Sequence, residues 1–237
     1  KIEKNKFDVN NADVKEVNQS ELLFLGDPQN KSSMEVEEQK DEHRNLPLGV
    51  PKAHFFKNFI ISQTNNELVI IDQHAAHERI LFEKFKNQKE KGEIVIQELL
   101  IPEIFESTAP EVEKFLENQE KLRILGIEIE AFGPTSVCIR GTPAILGNIN
   151  PKKLLEDIFQ EIKQYDTIDE LNNKLDNVFS SMACHGSVRS GRILKYEEMN
   201  FLLREMETTP NTGQCNHGRP TFLKLDINKI NALFGRS

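Results

Sequence analysis

The chain has 237 residues, a net charge of −8 at neutral pH and 38% hydrophobic residues, so its length allows one large domain or two small ones. It lacks both an apolar run of about 18 residues that could span a membrane and a signal-peptide pattern. We therefore expect a soluble, cytoplasmic protein. Its three widely spaced cysteines argue against a disulfide framework. Because phosphate binding depends largely on Lys and Arg, the acidic balance argues against a strong nucleic-acid binder.

Residues 1–46 are polar and acidic, with seven Lys and Arg against eleven Asp and Glu. Only the short run LLFL at residues 22–25 could pack against other apolar side chains. This composition is typical of a disordered linker. The chain does not begin with Met, and we expect it to be part of a longer protein.

From residue 47 onward, strand patterns and helix patterns alternate. HFFKNFIISQ and NELVIID predict a hairpin that turns at residues 64–66, and AAHERILFEKFKNQ has helical spacing. EIVIQELLIP predicts a strand, and residues 109–125 predict a helix that begins at a Pro and ends before a Gly. IEIEAFG and SVCIRGTPAIL predict two strands, residues 151–206 two or three helices, and TFLKLDI a last strand. Because no strict βαβ repeat is present, the predicted class is α+β (mixed α/β) with two subdomains.

The stretch IIDQHAAHERILFE, residues 70–83, contains the first group of candidate ligands. His74 and Glu78 are four residues apart, so on a helix they lie on one face, one turn apart. Asp72 stands where the strand meets the helix and could add an oxygen to the same ion. The alternative is an ordinary helix start, with Asp72 as its cap and the charged residues in water. The spacing alone favours neither interpretation.

Two other residues of this stretch fit a metal site less well. His77 is turned away from the face that carries His74, and Glu83 follows Arg79 by four residues, the spacing of a surface ion pair. The order HAAHE also differs from the zinc-protease pattern H-E-x-x-H, which argues against a metalloprotease.

Two later segments contain cysteine and histidine. QCNHGRP places Cys215 two residues before His217 in a turn-like segment, and thiolate and imidazole together suit zinc. The alternative is a buried cysteine beside a surface histidine. SMACHGSVRSG places Cys184 after a helical segment, where core packing is the alternative, while Arg189 and the Gly and Ser before it could contact a phosphate. Carboxylate, imidazole and thiolate ligands together suit a two-ion phosphodiesterase site.

These segments resemble four motifs of the C-terminal domain of the MutL mismatch-repair family, in the branch with latent endonuclease activity. DQHAAHERILFE resembles Asp-Gln-His-Ala-x2-Glu-x4-Glu, and ACHGSVRSG resembles an Ala-Cys-Arg segment, with His185 where Arg is common. CNHGRP is similar to Cys-Pro-His-Gly-Arg-Pro, with Asn216 in place of Pro, and FGR at residues 234–236 is similar to a terminal Phe-x-Arg. The motifs occur in the family's order, and the resemblance covers roughly residues 46–237.

The resemblance implies a metal-dependent endonuclease that nicks one strand of duplex DNA. Zinc would occupy a softer, regulatory position, while manganese or magnesium would support cleavage. Glu78 would be shared between the ions, and the catalytic group would be Asp72, His74 and Glu78. The full set of metal ligands would be Asp72, His74, Glu78, Cys184, Cys215 and His217. Phosphate contacts or structural support would come from Arg189, Arg219 and Arg236.

The resemblance also implies a domain organisation and partners. A dimerisation and catalytic subdomain, residues 47–95 and 166–237, would follow the linker and carry an inserted external, regulatory subdomain at residues 96–165. ATP would act only through a separate N-terminal ATPase domain. Expected partners are a second copy in a homodimer, duplex DNA with weak intrinsic affinity, and other repair proteins such as MutS.

QELLIP, residues 97–102, resembles the peptide Gln-x-x-Leu/Ile-x-Pro by which bacterial MutL proteins bind the replication sliding clamp. Leu100 would enter an apolar pocket of the clamp, and Gln97 would form a hydrogen bond at the rim of that pocket. Pro102 would be the third clamp-binding residue. The alternative is a strand edge that ends at a proline. A clamp that encircles DNA would hold an acidic nuclease on its substrate. The main rival function is a dimerisation and partner-docking module with a structural zinc and no catalysis.

Overall fold

The structure, a computed structural model, describes residues 46–92, 94–165, 167–187 and 192–236. The predicted linker thus lies outside the described residues, except for Leu46. The strands are β1 (Val50–Phe55), β2 (Phe59–Gln63), β3 (Glu67–Asp72), β4 (Ile96–Glu106), β5 (Glu128–Ala131), β6 (Ser136–Pro143) and β7 (Phe222–Asp226). The helices are α1 (Gln73–Glu90), α2 (Ala109–Glu117), α3 (Gln119–Ile124), α4 (Pro151–Ile162), α5 (Ile168–Asn173), α6 (Leu175–Gly186), α7 (Tyr196–Thr208) and α8 (Ile227–Leu233).

The strands form two antiparallel sheets, which confirms the α+β class. The first sheet has the order β1-β2-β3-β7, and the second has the order β4-β6-β5. Along β3, the side chains of Val69 and Ile71 are fully buried. Leu68 and Ile70 alternate with them and are only half-buried on the opposite face, as the period of two in a strand requires. In the described part of the chain, no helix has the length and apolarity needed to cross a membrane.

The first predicted hairpin differs from the observed one. HFFKNFIISQ is not one strand but β1 and β2, joined by a tight turn in which Asn58 N donates to Phe55 O at 3.1 Å. Phe56 and Lys57 at its centre have φ values of 48° and 58°. The pattern missed this turn because left-handed backbone is usually signalled by Gly or Asn. The predicted turn at residues 64–66 is confirmed between β2 and β3.

The predicted helix at residues 109–125 is divided into α2 and α3 at Asn118. The Asn118 side chain donates to Lys114 O at 2.9 Å, and such a local bond competes with continuation of the helix. The segment ends at Gly126, where φ is +79°. A Cβ there would lie 2.8 Å from Ile94 Cγ2, so both the backbone conformation and the space favour glycine.

Helix α1 connects the first sheet to the main hydrophobic core. Its predicted apolar face is confirmed, since all four of its predicted residues are buried. Phe85 stacks on Phe179 of α6 with 5.4 Å between the ring centroids. Aromatic pairs at such distances contribute beyond the area they bury. This packing fixes α1 against α6 and brings the candidate ligands of the two helices together. The four residues of the face are Ala76, Ile80, Leu81 and Phe85.

Candidate functional site

Asp72 ends β3 and caps the N-terminus of α1. Its Oδ1 accepts hydrogen bonds from His74 N at 3.0 Å and Ala75 N at 3.1 Å. Two backbone donors and the positive end of the helix dipole stabilise the carboxylate. The ordinary interpretation of Asp72 as a cap is therefore correct. Since both bonds end on Oδ1, binding of a cation through Oδ2 is compatible with capping.

Gln73, which the sequence analysis did not single out, holds the start of α1 in place. It is fully buried, and its Nε2 donates to Lys57 O at 3.1 Å and to Arg192 O at 2.9 Å. Its Oε1 lies 2.7 Å from His54 Nε2, and its backbone N donates to Asn58 O at 3.0 Å. A buried amide with all these partners rigidifies its surroundings. Its signals in the sequence are its place between two predicted ligands and the Gln of the resembling motif Asp-Gln-His-Ala.

His74 and Glu78 meet on one face of α1, as their spacing predicts. His74 Nε2 lies 3.3 Å from Glu78 Oε1, and His74 Nδ1 lies 3.2 Å from Ser187 Oγ. The Ser187 hydroxyl donates to Cys184 O at 3.1 Å. Because the Ser187 hydroxyl proton is used in that bond, the hydroxyl oxygen accepts a hydrogen bond from Nδ1–H of His74. In a neutral ring, the lone pair is then on Nε2. A lone pair and a carboxylate oxygen then face each other, and a proton or a cation between them relieves the repulsion.

Cys184 joins this group from α6. Although Cys184 is an exposed residue, partial burial of its thiol raises its pKa, and a hydrogen bond to the carboxylate of Glu78 raises the pKa further. The Glu78 residue itself is buried, with 8% exposure. Carboxylate, imidazole and thiol are thus linked by direct contacts across two helices. Cys184 keeps its proton in this arrangement, and only the deprotonated thiolate binds a metal.

The other two candidate residues of α1, His77 and Glu83, lie in structural environments. Burial, and then the charge of Lys84, lowers the pKa of His77 to about 3, so this ring stays neutral at physiological pH. Glu83 forms an ion pair with Arg79 and accepts a hydrogen bond from Asn211 Nδ2 at 3.2 Å. These contacts agree with the lesser roles expected for His77 and Glu83.

The end of α6 is tightly packed. A Cβ on Gly186 would lie 2.6 Å from Leu146 Cδ2 and 3.1 Å from Leu81 Cδ1, so the glycine permits close approach of these elements. His185 Nε2 lies 3.2 Å from Asp157 Oδ2 of α4. Burial lowers the pKa of His185, while Asp157 acts in the opposite direction. The predicted phosphate contact Arg189 lies outside the described residues.

Cys215 and His217 lie in a tight turn just before β7. Gly218 N donates to Cys215 O at 3.0 Å, and Cys215 N donates to Arg219 O at 2.8 Å. Cys215 is buried, whereas His217 and Arg219 are exposed. Gly218 has a φ of +77°, a conformation that glycine adopts at no steric cost. The turn thus separates a buried thiol from an exposed imidazole.

Asn216 occupies the first central position of that turn. Both polar atoms of its side-chain amide, Oδ1 and Nδ2, are buried without a hydrogen-bond partner. Buried amides of folded proteins nearly always have partners, and an unpaired one is destabilising. Proline is favoured at this position of such turns. Asn216 is therefore less favourable at this position than the proline of the resembling motif.

Five of the six predicted ligands fall into two sets. His74, Glu78 and Cys184 lie where α1 meets α6, and Cys215 and His217 lie in the turn before β7. Asp72 caps α1, and its backbone N donates to Thr221 O, just before β7, at 2.8 Å. Among residues 46–236, apart from the gaps named above, no three or more His, Cys, Asp or Glu side chains are arranged to hold a metal ion. The donor types nevertheless suit zinc, and the carboxylates suit manganese or magnesium. The exposed Arg236 follows α8, where its backbone N donates to Asn231 O at 2.9 Å.

The segment that resembles a clamp-binding peptide forms a bulge on an edge strand. Residues 99–102 of β4 have only Arg140 opposite them, because Glu98 pairs with Gly141 and Glu103 pairs with Ile139. Leu100 is 99% exposed. The neighbouring Ile101 is 79% exposed, Gln97 is exposed, and Pro102 is half-buried. An edge strand with projecting apolar side chains offers both backbone and side chains to a partner.

The outer face of the first sheet is a second exposed apolar surface. Leu223 and Leu225 of β7 pair with Ile70 and Leu68 of β3. Leu223 is 57% exposed and Leu225 is 38% exposed. On the opposite face, Val69 and Ile71 of β3 are fully buried. An apolar sheet face of this kind typically marks a protein interaction site.

Comparison with known proteins identifies similar chains. Residues 52–194 match the model of the MutL C-terminal dimerisation domain. The chain is 51% identical over 190 residues to the DNA mismatch repair protein MutL of Afipia carboxidovorans, an alignment of 80% of this chain and 31% of the relative. For the protein of the same name from Bartonella bacilliformis, identity is 45% over 212 residues, 90% of this chain and 35% of the relative. The chain therefore spans about a third of the length of these relatives.

Proposed function

Because this chain belongs to the MutL family and matches its C-terminal dimerisation domain, we propose that it is a homodimeric, metal-dependent endonuclease domain that nicks duplex DNA in mismatch repair. The observation that carries this proposal is the contact group of His74, Glu78 and Cys184 at the start of α1. A dimerisation surface alone does not require a carboxylate that contacts both an imidazole and a thiol. The names of the similar proteins support a role in mismatch repair.

The donor types of the predicted ligands suit bound metal ions. Asp72, His74 and Glu78 would hold a cleavage-supporting manganese or magnesium ion, and Cys184, Cys215 and His217 would complete a zinc position. Bound ions of this kind generate a nucleophile from water and stabilise the attacking and leaving oxygens of a phosphodiester. Glu78 contacts both an imidazole and a thiol, which suits a carboxylate shared between two ions.

The protein itself orients these ligands. The cap at Asp72 fixes the carboxylate relative to the first turn of α1, and Gln73 ties that turn to the β1–β2 hairpin. Ser187 holds the His74 ring through Nδ1 and thereby directs Nε2 towards Glu78. Partners of this kind set the tautomer and orientation of ligating histidines.

The sliding clamp is the proposed partner of the β4 bulge. Leu100 would enter an apolar pocket of the clamp, and the exposed side chain of Gln97 would form a hydrogen bond at its rim. The nearly complete exposure of Leu100 supports this role, since burying such a side chain stabilises a complex by about 1.5–3 kcal/mol. The chain carries a net charge of −8, so attachment to a DNA-encircling partner would offset repulsion from the phosphates.

A second copy of this chain is the proposed partner of the outer face of the first sheet. The exposed Leu223 and Leu225 lie beside Ile70 and Leu68 in one apolar patch. The domain name of the matching family model, a dimerisation domain, supports this assignment. In the dimer, each face would bury the apolar side chains of the other, as in a hydrophobic core.

The proposed domain boundaries also agree with the sheets. The first sheet lies within residues 47–95 and 166–237, and the second lies within residues 96–165. The hydrophobic core nevertheless runs from α1 through the second sheet to α6. We therefore propose an external subdomain that is packed against the catalytic one. The linker at residues 1–46 and an N-terminal ATPase domain complete the proposed organisation.

The second candidate is a non-catalytic dimerisation module with a structural zinc. It is favoured by the description of the matching family model, which is that of a dimerisation domain. Nicking of supercoiled plasmid in manganese, with and without sliding clamp, distinguishes the two functions, with EDTA as the control. The endonuclease proposal predicts relaxed circles in manganese and none in EDTA. If the protein contains zinc but produces no relaxed circles in manganese, either with or without sliding clamp, the second candidate is correct instead.

A further inference from the structure

The turn between β1 and β2 is built from unusual residues. Phe56 and Lys57 occupy its two central positions with φ values of 48° and 58°, and Asn58 N donates to Phe55 O across the turn. Hairpin turns with positive φ at consecutive positions normally carry Asn or Gly there. A bulky side chain in this conformation is a genuine outlier. Such backbone persists only where the surrounding structure determines it, and it concentrates at functional sites.

Gln73 is the residue that holds this turn. Its backbone N donates to Asn58 O at 3.0 Å, and its side-chain Nε2 donates to Lys57 O at 3.1 Å. Its Oε1 contacts His54 of β1 at 2.7 Å. Because Gln73 lies between Asp72 and His74, the turn is coupled rigidly to the proposed catalytic residues.

The side chains at the tip of the turn point into solvent. Phe56 is 85% exposed and Phe55 is 49% exposed, and Lys57 is also exposed. Phe56 makes one aromatic contact, with Phe55, at 6.5 Å between ring centroids. An aromatic ring of this exposure adds little to the hydrophobic core. The unfavourable backbone at this turn therefore serves to present a phenyl ring and an ammonium group outside the fold.

The position of the tip is fixed by the register of the sheet. Phe55 pairs with Phe59, and Phe59 pairs with Asp72, so the turn lies at the same end of the sheet as Asp72. Neighbouring strands are about 4.8 Å apart, which places the end of β1 roughly 10 Å from Asp72. Successive base pairs rise about 3.4 Å along a strand. A duplex held at Asp72 and running towards the hairpin would therefore pass the tip within two or three nucleotides.

We propose that the tip formed by Phe56 and Lys57 contacts the duplex beside the phosphate that is cleaved. Phe56 packs into the minor groove as an apolar wedge, as phenyl groups do in other DNA-binding proteins. Lys57 binds a neighbouring phosphate. This inference rests on the proposed endonuclease function. A second copy of the chain is the weaker occupant, because the apolar patch proposed for dimerisation lies on the face of the sheet, whereas the tip lies at its end.

The test compares two tip variants with matched controls. Phe56→Asn removes the ring while supplying a residue that tolerates left-handed backbone, so the variant should fold with an unchanged or higher melting temperature. Lys57→Gln removes the charge. The controls are Phe132→Asn, at a ring that is 51% exposed, and Lys91→Gln, at the far end of α1, about 27 Å from Asp72. Binding to a short fluorescein-labelled duplex is measured by anisotropy across a salt series.

We expect Phe56→Asn to raise the Kd for duplex by roughly ten-fold, within the range known for aromatic contacts with bases. Lys57→Gln should lower the slope of log Kd against log salt by about 0.9, the loss of one phosphate contact. Both controls should bind like the wild type. Equal Kd values for Phe56→Asn and Phe132→Asn, or no measurable binding by the wild type at low salt, would overturn the inference.

Sedimentation and plasmid nicking distinguish a DNA contact at the tip from a contact between copies and from a failure of the nuclease function. If Phe56→Asn converts dimers to monomers in sedimentation experiments, the tip belongs to an interface between copies, and the DNA assignment is wrong. If the wild type binds duplex but never nicks plasmid in manganese, the proposed endonuclease function fails. In that case the Kd values of the tip variants and their controls for duplex still decide whether the tip contacts DNA.

Discussion

The thiol of Cys184 donates a hydrogen bond to the carboxylate of Glu78, so that helices α6 and α1 meet through two predicted metal ligands. His74 adds a ring nitrogen 3.3 Å from the same carboxylate. The stacked rings of Phe85 and Phe179 hold the two helices together nearby. The first half of the proposed site is therefore preassembled by ordinary core packing, which reduces the cost of organising it around an ion.

Removal of Cys184 should weaken zinc binding. Cys184→Ser keeps the size of the side chain but replaces a thiolate ligand by a hydroxyl, and we expect zinc affinity to fall by at least about ten-fold. Competition with a chromophoric chelator measures the affinity. Cys138→Ser is the control, since Cys138 is buried in β6 of the second sheet. Equal loss of affinity in both variants would show that the effect is structural rather than due to a lost ligand.

Asn216→Pro should stabilise the protein. Proline suits the first central position of the turn, and the substitution removes two buried polar atoms that lack partners. We expect the free energy of unfolding to rise by about 1 kcal/mol, as for a proline that fits its native backbone. Urea denaturation measures the change. A lower stability would contradict this account, because it would mean that the turn does not accommodate proline or that the Asn216 amide has a stabilising partner within the chain.

Clamp binding should depend on Gln97 and Leu100. Because both side chains are exposed, replacing them with Ala should change the free energy of unfolding by less than about 0.5 kcal/mol. We expect the affinity for clamp to fall by at least roughly 2 kcal/mol, the size of an interface hot spot. Surface plasmon resonance on immobilised clamp measures this affinity. Val95→Ala, at an exposed side chain just before β4, should bind clamp like the wild type.

Dimer formation should depend on the outer face of the first sheet. Leu225→Glu places a charge where a second copy would bury an apolar side chain, and a buried unpaired charge is strongly destabilising. We expect monomers in analytical ultracentrifugation at concentrations where the wild type is dimeric. Ile168→Glu on α5 is the control, since Ile168 has a similar exposure of 40%. A dimer that survives Leu225→Glu would place the interface elsewhere.

Local patterns predicted much of the fold, while long-range contacts decided the rest. The cap at Asp72, the buried face of α1 and the turn at residues 64–66 all depend on short-range spacing, and each was predicted. The strand HFFKNFIISQ was wrong because its turn uses Phe56 and Lys57, which no local rule favours there. The hydrogen bonds that hold that turn come from Gln73, farther along the chain.

In the candidate site, too, local spacing predicted one contact, while long-range packing decided the others. The meeting of His74 with Glu78 follows from helical spacing, and the structure has it. The contact of Glu78 with Cys184 requires the packing of α1 on α6, which no local spacing predicts. The buried and unpaired amide of Asn216 was also beyond local patterns, because burial of a turn residue depends on its neighbours in space.

The most direct test of the central claim compares two capping aspartates. Asp72 and Asp226 both end a strand and cap the following helix through Oδ1, but only Asp72 is a predicted metal ligand. Asn is an equally good cap, so Asp72→Asn and Asp226→Asn should both fold like the wild type. Nicking of supercoiled plasmid is measured for both variants in manganese, with and without sliding clamp. The account predicts that Asp72→Asn produces no relaxed circles above the EDTA background, while Asp226→Asn nicks at the wild-type rate. Equal nicking by the two variants would contradict it.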